Sequence, residues 1–539
     1  MGEAWTATRH DLAVEPVGQP ALPVFEAETE SAVGEKAAGL TAIASLFQEL
    51  NRCAVRYCVW KSNVRLQQAL RAETDLDLLV DRRHAAAFVA LLGRHSIKLV
   101  KPAPGRDYPA IENYLGYDEE SGKIFHLHVH YQLVLGERYV KSCRLPIEER
   151  FLDHVQWRNG VKIPSPELEL IVLSFRVLLK YRVRDLLKDL LHIGTPGIPP
   201  VMRQEVSFLL GQTSWDRISA ALDELSGVLP SSAVTDFLSK VLASQRAGYA
   251  TWRLRARVWR EMGAYRRHSR FGTAVQYIRG LMRENKYLSR LRRVRKKTLP
   301  RGGVTLALVG ADGAGKTTLA QVLVRWLGPQ VDIHRYYLGS KQPSTRSKCL
   351  YLAYRAVRRG ARTVGRFVPE AFVVPRLASD LRDAVLCLHH LSVAYDRYRR
   401  FKAARSAAAR GSIVIYDRFP LPSDGRQRES IVMDGPQIPL IAGNGNKAVR
   451  SALARWEQSV YYRFVPPDYL LLLEVSHRVS MERKPDHKPA AIEAKIQATG
   501  RIALGAGSTS QGCRLIRLNA DLPLEQVIGE LKKAVWQAV

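Results

Sequence analysis

Cysteine is scarce in this chain: six in 539 residues, at positions 53, 58, 143, 349, 387 and 513, and no two of them form a CxxC pair. That scatter suggests neither a disulfide framework nor a cysteine zinc cluster. No stretch approaches the roughly 18 consecutive apolar residues of a membrane span. The first residues are polar and acidic instead of basic and then apolar, so the pattern of a secretory signal is missing too. No internal repeat is evident. A globular protein of a reducing, cytoplasmic compartment is therefore expected, and the length corresponds to about three or four domains. Acid is in short supply: 51 Asp and Glu against 82 Lys and Arg give a net charge of +31. Such an excess favours anionic partners, namely nucleotides, nucleic acid or an anionic membrane surface, without choosing among them.

Composition and periodicity divide the chain into five stretches. Residues 1–35 hold Pro, Glu, Ala and Thr without sustained periodicity and are expected to form a disordered leader. Residues 36–160 read as an α+β domain, with helical spacing over 36–50 and 84–93 and strands at 55–60, 76–80 and 124–131. Residues 161–250 carry apolar positions at helical periods, an accessory helical region. Residues 251–300 contain sixteen Lys or Arg and two Glu, with Trp252, Trp259, Tyr265 and Tyr277 among them. This basic linker reads as a solvated helix face, or as a docking segment for an anionic polymer or membrane. Residues 301–539 alternate strands and helices.

The densest chemical signal lies in that last stretch. Gly310, Ala311, Asp312, Gly313, Ala314, Gly315, Lys316 and Thr317 spell GxxxxGK[ST], behind a buried-strand run at 304–309 and ahead of a helical run at 318–327. Glycines there let backbone N–H groups close around phosphate oxygens, the helix N-terminus adds donors, and Lys316 adds a positive charge. Thr317 is the candidate ligand of Mg²⁺. A second strand, 411–419, ends in Asp417 and Arg418; in P-loop folds an Asp at the carboxyl end of a neighbouring strand can face the loop and bind Mg²⁺ or its water, which makes Asp417 the candidate and leaves Arg418 to grip a phosphate. A third, 468–475, runs into a helix ending in Met481, Glu482, Arg483, Lys484 and, further on, Lys488, a cationic segment suited to close over transferring phosphates.

Residues 304–539 resemble the thymidylate kinase branch of nucleoside monophosphate kinases. The loop from Gly310 to Thr318 resembles that family's GxDGxGKTT, and residues 409–419 resemble its ARGxxVxxDRY. The resemblance implies a doubly wound parallel sheet that binds ATP and Mg²⁺ and passes the γ-phosphoryl group to a small acceptor. By it, Gly310 to Thr318 hold the nucleotide, Asp312 meets the acceptor's sugar hydroxyl, Lys316 the donor phosphates, and Asp417 with Arg418 the metal and acceptor phosphate. Arg397 matches the helix arginine on the acceptor phosphate. With no Arg or Lys between Gly310 and Gly315, Arg483, Lys484 and Lys488 are left to stabilise the transferring charge. Two departures concern the acceptor: the family's TREPG segment is replaced by residues 334–340, and the residues that usually follow DRY give way to 420–436.

In the first domain, Asp75 and Asp77 fall on one face of a strand, since side chains alternate with period two. They resemble the hDhDh element of nucleotidyltransferase folds, which implies a shared divalent metal against a nucleotide triphosphate. The preceding Trp60, Lys61, Ser62 and Asn63 stand where that family has a Gly-Ser turn. His126, His128 and His130 stand where it has a third carboxylate; they share one face and offer imidazoles to a metal, or else are satisfied strand histidines. The leading expectation is an α/β, ATP-dependent P-loop kinase with an N-terminal nucleotidyltransferase-like domain and a helical middle region. The competing one is a nucleotide-binding regulatory or assembly protein whose ATP state controls the basic segment.

Overall fold

The computed structural model describes residues 39–137, 139–193, 198–241, 248–284, 296–339, 341–367, 373–420, 435–441, 447–505 and 512–539. The expected leader at 1–35 and part of the basic run, 285–295, lie outside them, as do 421–434 of the substituted acceptor segment. The chain divides into two compact units, residues 1–291 and 292–539. Among the described residues no helix is long and apolar enough to cross a membrane.

The first unit is built on a five-stranded sheet of β1 (Tyr57–Val59), β2 (Leu76–Val80), β3 (Lys98–Val100), β4 (Ile111–Asp118) and β5 (Lys123–His130), in the order β1-β2-β5-β4-β3. Only β2 and β5 run parallel. Alternation along β1 and β2 sends Tyr57, Val59, Leu76, Leu78 and Val80 to one face. There they meet α1 (Thr41–Arg52) and α3 (Ala85–Arg94), while the short α2 (Leu66–Leu70) adds Leu66 and Leu70 to the same core. Cys58, Trp60 and Leu79 point the other way. β3 and β4 had no clear signature in the sequence. Gly116 breaks the apolar pattern of β4, and the space beside it is taken by Phe125, whose ring lies 2.0 Å from where a Cβ would stand.

Two hairpins follow, β6 (Leu133–Leu135) with β7 (Cys143–Leu145), and β8 (Val155–Arg158) with β9 (Val161–Pro164), separated by α4 (Glu148–Asp153). Helices α5 (Pro166–Lys180), α6 (Val183–Leu190), α7 (Pro200–Leu210), α8 (Trp215–Glu224), α9 (Ser231–Asp236), α10 (Gly248–Glu261) and α11 (Arg270–Glu284) complete the unit. α5 is apolar almost all round, and twelve successive residues from Leu168 to Leu179 are buried, as a central helix requires. Its Leu170, Ile171 and Phe175 share one core with Cys58, Trp60 and Leu79 of the sheet. Part of the basic segment is absorbed here. Arg255 of α10 lies over the rings of Trp252 and Trp259 at 5.0 and 5.8 Å and pairs with Glu137 at 3.2 Å. Arg182 donates to the Tyr277 hydroxyl of α11 at 3.1 Å.

The second unit holds a fully parallel sheet of β10 (Thr305–Gly310), β11 (Ile333–Tyr337), β12 (Ile413–Asp417), β13 (Tyr469–Glu474) and β14 (Arg514–Asn519), in the order β11-β12-β10-β13-β14. The connections are α12 (Lys316–Leu327) after β10, α13 (Thr345–Phe367) and α14 (Val373–Ala409) after β11, α15 (Lys447–Tyr461) after β12, and α16 (His477–Arg483) with α17 (Pro489–Gly505) after β13. A final helix, α18 (Leu524–Ala538), closes the chain. Ala307, Val309, Val414, Tyr416, Leu470 and Leu472 form one core with α14 and α15. The alternate residues Leu306, Leu308, Ile413, Ile415, Leu471 and Leu473 are buried as well. α12 and α18 pack on each other, so the strands read as continuous apolar runs because both faces of the sheet are covered. From the central strand β10 the chain builds β11 and β12 on one side and then crosses to β13 and β14 on the other, and a crevice opens at the carboxyl ends of the strands where this direction reverses.

Candidate active site

That crevice is lined by the loop from Gly310 to Gly315. Gly313 and Gly315 have φ of +85° and +84°, a region that favours glycine, and Gly315 caps α12. A Cβ on Gly313 would lie 3.1 Å from the Ser480 carbonyl, so α16 packs directly against the loop. The Ser480 hydroxyl donates to the Asp312 carbonyl at 2.5 Å. Ala311 and Ala314 turn inward and are buried. Lys316, the first residue of α12, curls over the start of the loop, its Nζ donating to the carbonyls of Gly310 and Ala311 at 2.8 and 2.6 Å. Thr317 and Thr318 follow, exposed in the first helical turn.

The parallel register pairs Leu308 with Asp417 and brings the end of β12 beside the loop. Asp417 is 0 % exposed. Its Oδ1 accepts from the Thr317 hydroxyl at 3.2 Å, and its Oδ2 is buried without a hydrogen-bond partner. Burial pushes the carboxyl above its ordinary value, although Thr317, Arg335, Arg418 and Lys316 all pull the other way. A buried carboxylate oxygen without a partner, next to a threonine hydroxyl at a phosphate loop, is the donor set a hard divalent ion takes. Mg²⁺ therefore fits Thr317 and Asp417.

Arg418 follows with φ of +72°, a strained conformation for a residue other than glycine. Its guanidinium lies within 3.7 Å of Asp312 Oδ1 and over the Tyr337 ring at 5.9 Å. Asp312 also pairs closely with Lys495 of α17, and His487 stands 4.0 Å away. Burial raises the Asp312 carboxyl, but Lys495, Lys316 and Arg418 outweigh it and hold the group below its usual range.

The other sequence candidates sit apart from this knot. The Arg483 guanidinium donates to the carbonyls of Gly313 and Ala520 at 3.3 and 2.9 Å, bracing the loop by backbone contacts. Lys484 and Lys488 are exposed. Arg397 is buried in α14, where it donates to the Tyr461 hydroxyl. Residues 334–337 of the substituted segment belong to β11 itself, and Arg400 fixes the strand's end by donating to the Tyr337 carbonyl at 2.5 Å. Lys495, Tyr337 and Ser480 were missed in the sequence. Lys495 and Ser480 are single residues with no motif around them, Tyr337 falls inside the replaced segment 334–340 without being singled out there, and Lys495 reaches Asp312 across 183 positions.

In the first unit the acids of the DxD element separate. β2 starts at Leu76, so Asp75 precedes the strand; its side chain is 39 % exposed and pairs with His126 Nδ1 at 2.9 Å. Asp77 is deeper and faces Lys61 Nζ and His128 Nδ1, both at 2.9 Å. Burial raises the Asp77 carboxyl, but Lys61 and His128 together hold it far below its ordinary value. Each acid thus meets a different imidazole. Glu169 of α5 takes the backbone N–H and side-chain amide of Asn63 at 3.1 and 2.8 Å, which fixes the turn after Trp60.

No protein-family model matches the chain. It is 25% identical over 239 residues to the uncharacterized ATP-binding protein YghR of Escherichia coli K12, a match spanning 43% of this chain and 86% of that protein. The uncharacterized ATP-binding protein YghS of the same organism is likewise 25% identical over 239 residues, spanning 93% of its length. Among solved structures, deoxyadenosine kinase from M. mycoides with bound dATP is similar at 14% identity and a TM-score of 0.26, over 43% of this chain and 98% of that one. The chain thus carries a phosphate-binding loop on a parallel α/β sheet and is similar in sequence to proteins described as ATP-binding.

Proposed function

We propose that the second unit is an ATP-dependent phosphotransferase resembling thymidylate kinase, acting on a nucleoside monophosphate or a related small phosphate acceptor. The observation that carries this reading is the buried Asp417 carboxylate, with one oxygen on Thr317 and the other without a hydrogen-bond partner, at the mouth of the loop. Thr317 and Asp417 would hold Mg²⁺, which neutralises charge on the donor phosphates when bound.

The remaining work falls to this chain's own groups. Loop amides and the α12 N-terminus take the phosphate oxygens, and Lys316 exchanges its loop carbonyls for them. An acceptor oxygen attacks the γ-phosphorus in line as the bond to the β-γ bridging oxygen breaks, and ADP leaves. Arg418 and Lys495, both gathered by Asp312, supply positive charge where the transferring group becomes most anionic. Arg483 acts by holding Gly313 in place. In this reading the N-terminal unit is a nucleotidyltransferase-like partner domain, which makes the protein bifunctional or lends it a second binding site.

Incubation with Mg-ATP and a panel of nucleoside monophosphates tests the proposal: ADP should form only with acceptor present. Slow hydrolysis independent of acceptor but stimulated by anionic polymer or lipid vesicles would replace it with the regulatory reading. Lys495→Met should lower kcat about 10- to 100-fold with little change in the KM for ATP, because the lost charge acts mainly as the phosphoryl group moves. Steady-state kinetics decide this, and an unchanged kcat removes Lys495 from the site.

A further inference from the structure

Three donor atoms converge inside the N-terminal unit: Asp77 Oδ1, His128 Nδ1 and His130 Nε2. They are separated by 2.9 Å between Asp77 and His128, 3.2 Å between the histidines, and 3.9 Å between Asp77 and His130. A triangle with these sides has a circumradius of about 2.0 Å, so one point lies at that distance from all three atoms, which is the bond length of nitrogen and oxygen donors to zinc-type ions.

The convergence comes from the backbone. β2 and β5 run parallel with Asp77 directly opposite His128, and His130 lies two residues along the same face. The His130 ring packs edge-on against Trp60 at 4.9 Å and against His128 at 4.5 Å, which limits its rotation. His126 lies on that face too but serves Asp75 through one nitrogen and Asn113 through the other, at 2.9 and 3.0 Å.

We propose that Asp77, His128 and His130 form a binding site for a divalent transition-metal ion of the zinc or cobalt type. Two imidazoles with one carboxylate favour such ions over Mg²⁺, which prefers an all-oxygen shell. Three protein ligands leave a fourth position for water or a substrate atom, the pattern of catalytic rather than structural zinc sites. Lys61 stands 2.9 Å from the same Asp77 oxygen, so its ammonium and the ion compete for it. The site differs from a carboxylate pair because Asp75 is not a ligand. It is independent of the phosphotransfer reading, since every ligand belongs to the first unit.

The full chain, stripped with chelator, is titrated with Co²⁺ in excess Mg²⁺ and without nucleotide, following visible d–d absorption, then back-titrated with Zn²⁺. One Co²⁺ per chain with a visible band, displaced by Zn²⁺, is expected. H128Q and D77N should each weaken uptake at least about tenfold, D75N should leave it unchanged, and K61M should bind more tightly. Circular dichroism checks that each variant is folded. If the wild-type chain takes up no stoichiometric ion, the proposal is overturned whatever the variants do. It is equally overturned if folded H128Q and D77N both keep wild-type affinity, if D75N rather than D77N abolishes uptake, or if folded K61M binds more weakly.

Discussion

A Lys316→Ala chain is expected to lose acceptor-dependent ADP formation by at least about 10²-fold, the usual consequence of removing one preorganised donor to a transferring oxyanion. The lysine also binds two loop carbonyls, those of Gly310 and Ala311, so its loss touches the resting loop as well as the reaction. Two measurements separate these effects. The unfolding temperature of the nucleotide-free chain should fall modestly, because both lost hydrogen bonds are buried while β10 and α12 keep their buried apolar contacts. Calorimetry with Mg-ATP should show weaker binding, and rapid-quench measurement of the transfer step a still larger loss. If acceptor phosphorylation survives in the folded variant, the loop is not the donor site.

What the sequence disclosed and what it hid divide along contiguity. The phosphate loop is eight adjacent residues whose glycines, lysine and threonine are each dictated by backbone geometry, and its flanks show the right periods. Asp417 and Arg418 were legible because they end an apolar strand. Lys495 was not, because its partnership with Asp312 is made by α17 folding back over the loop, and nothing near position 495 records that. Arg483 shows the converse: a cation in a promising run turns to the backbone of Gly313 and Ala520 and takes a bracing position. In the first unit the period-two rule put Asp75 and Asp77 on one face, yet the ladder begins one residue too late to hold Asp75 in it. The histidine cluster was visible as an alternation in β5, but the partner that completes it is fixed by the register with β2, a long-range fact.

Asp417→Asn separates catalysis from stability more sharply, since the two are expected to move in opposite directions. Burial raises the Asp417 carboxyl above its ordinary value. The folded chain therefore binds this proton more tightly than the unfolded chain does, and the contribution of Asp417 to stability falls as pH rises from its unfolded to its folded value. Near neutral pH the charged group is thus a liability to the nucleotide-free fold. Asparagine keeps the Oδ1 acceptor for the Thr317 hydroxyl and puts a neutral amide where the second oxygen lies without a hydrogen-bond partner, and a buried amide is less costly than a buried charge. The variant should melt at the same temperature as wild type or higher at pH 8, with the difference shrinking as pH falls toward the range where the native carboxyl protonates. Its phosphotransfer rate should drop by about 10²- to 10³-fold, a loss typical of removing a key charge-stabilising group. The rise in melting temperature that Mg-ATP gives the wild type should also shrink toward that given by ATP with chelator. A variant that melts markedly lower yet still transfers phosphate would make Asp417 a packing residue and move the metal site elsewhere. The expected opposite outcome identifies a carboxylate retained at the expense of the resting fold, which is what a catalytic position, unlike a structural one, sustains.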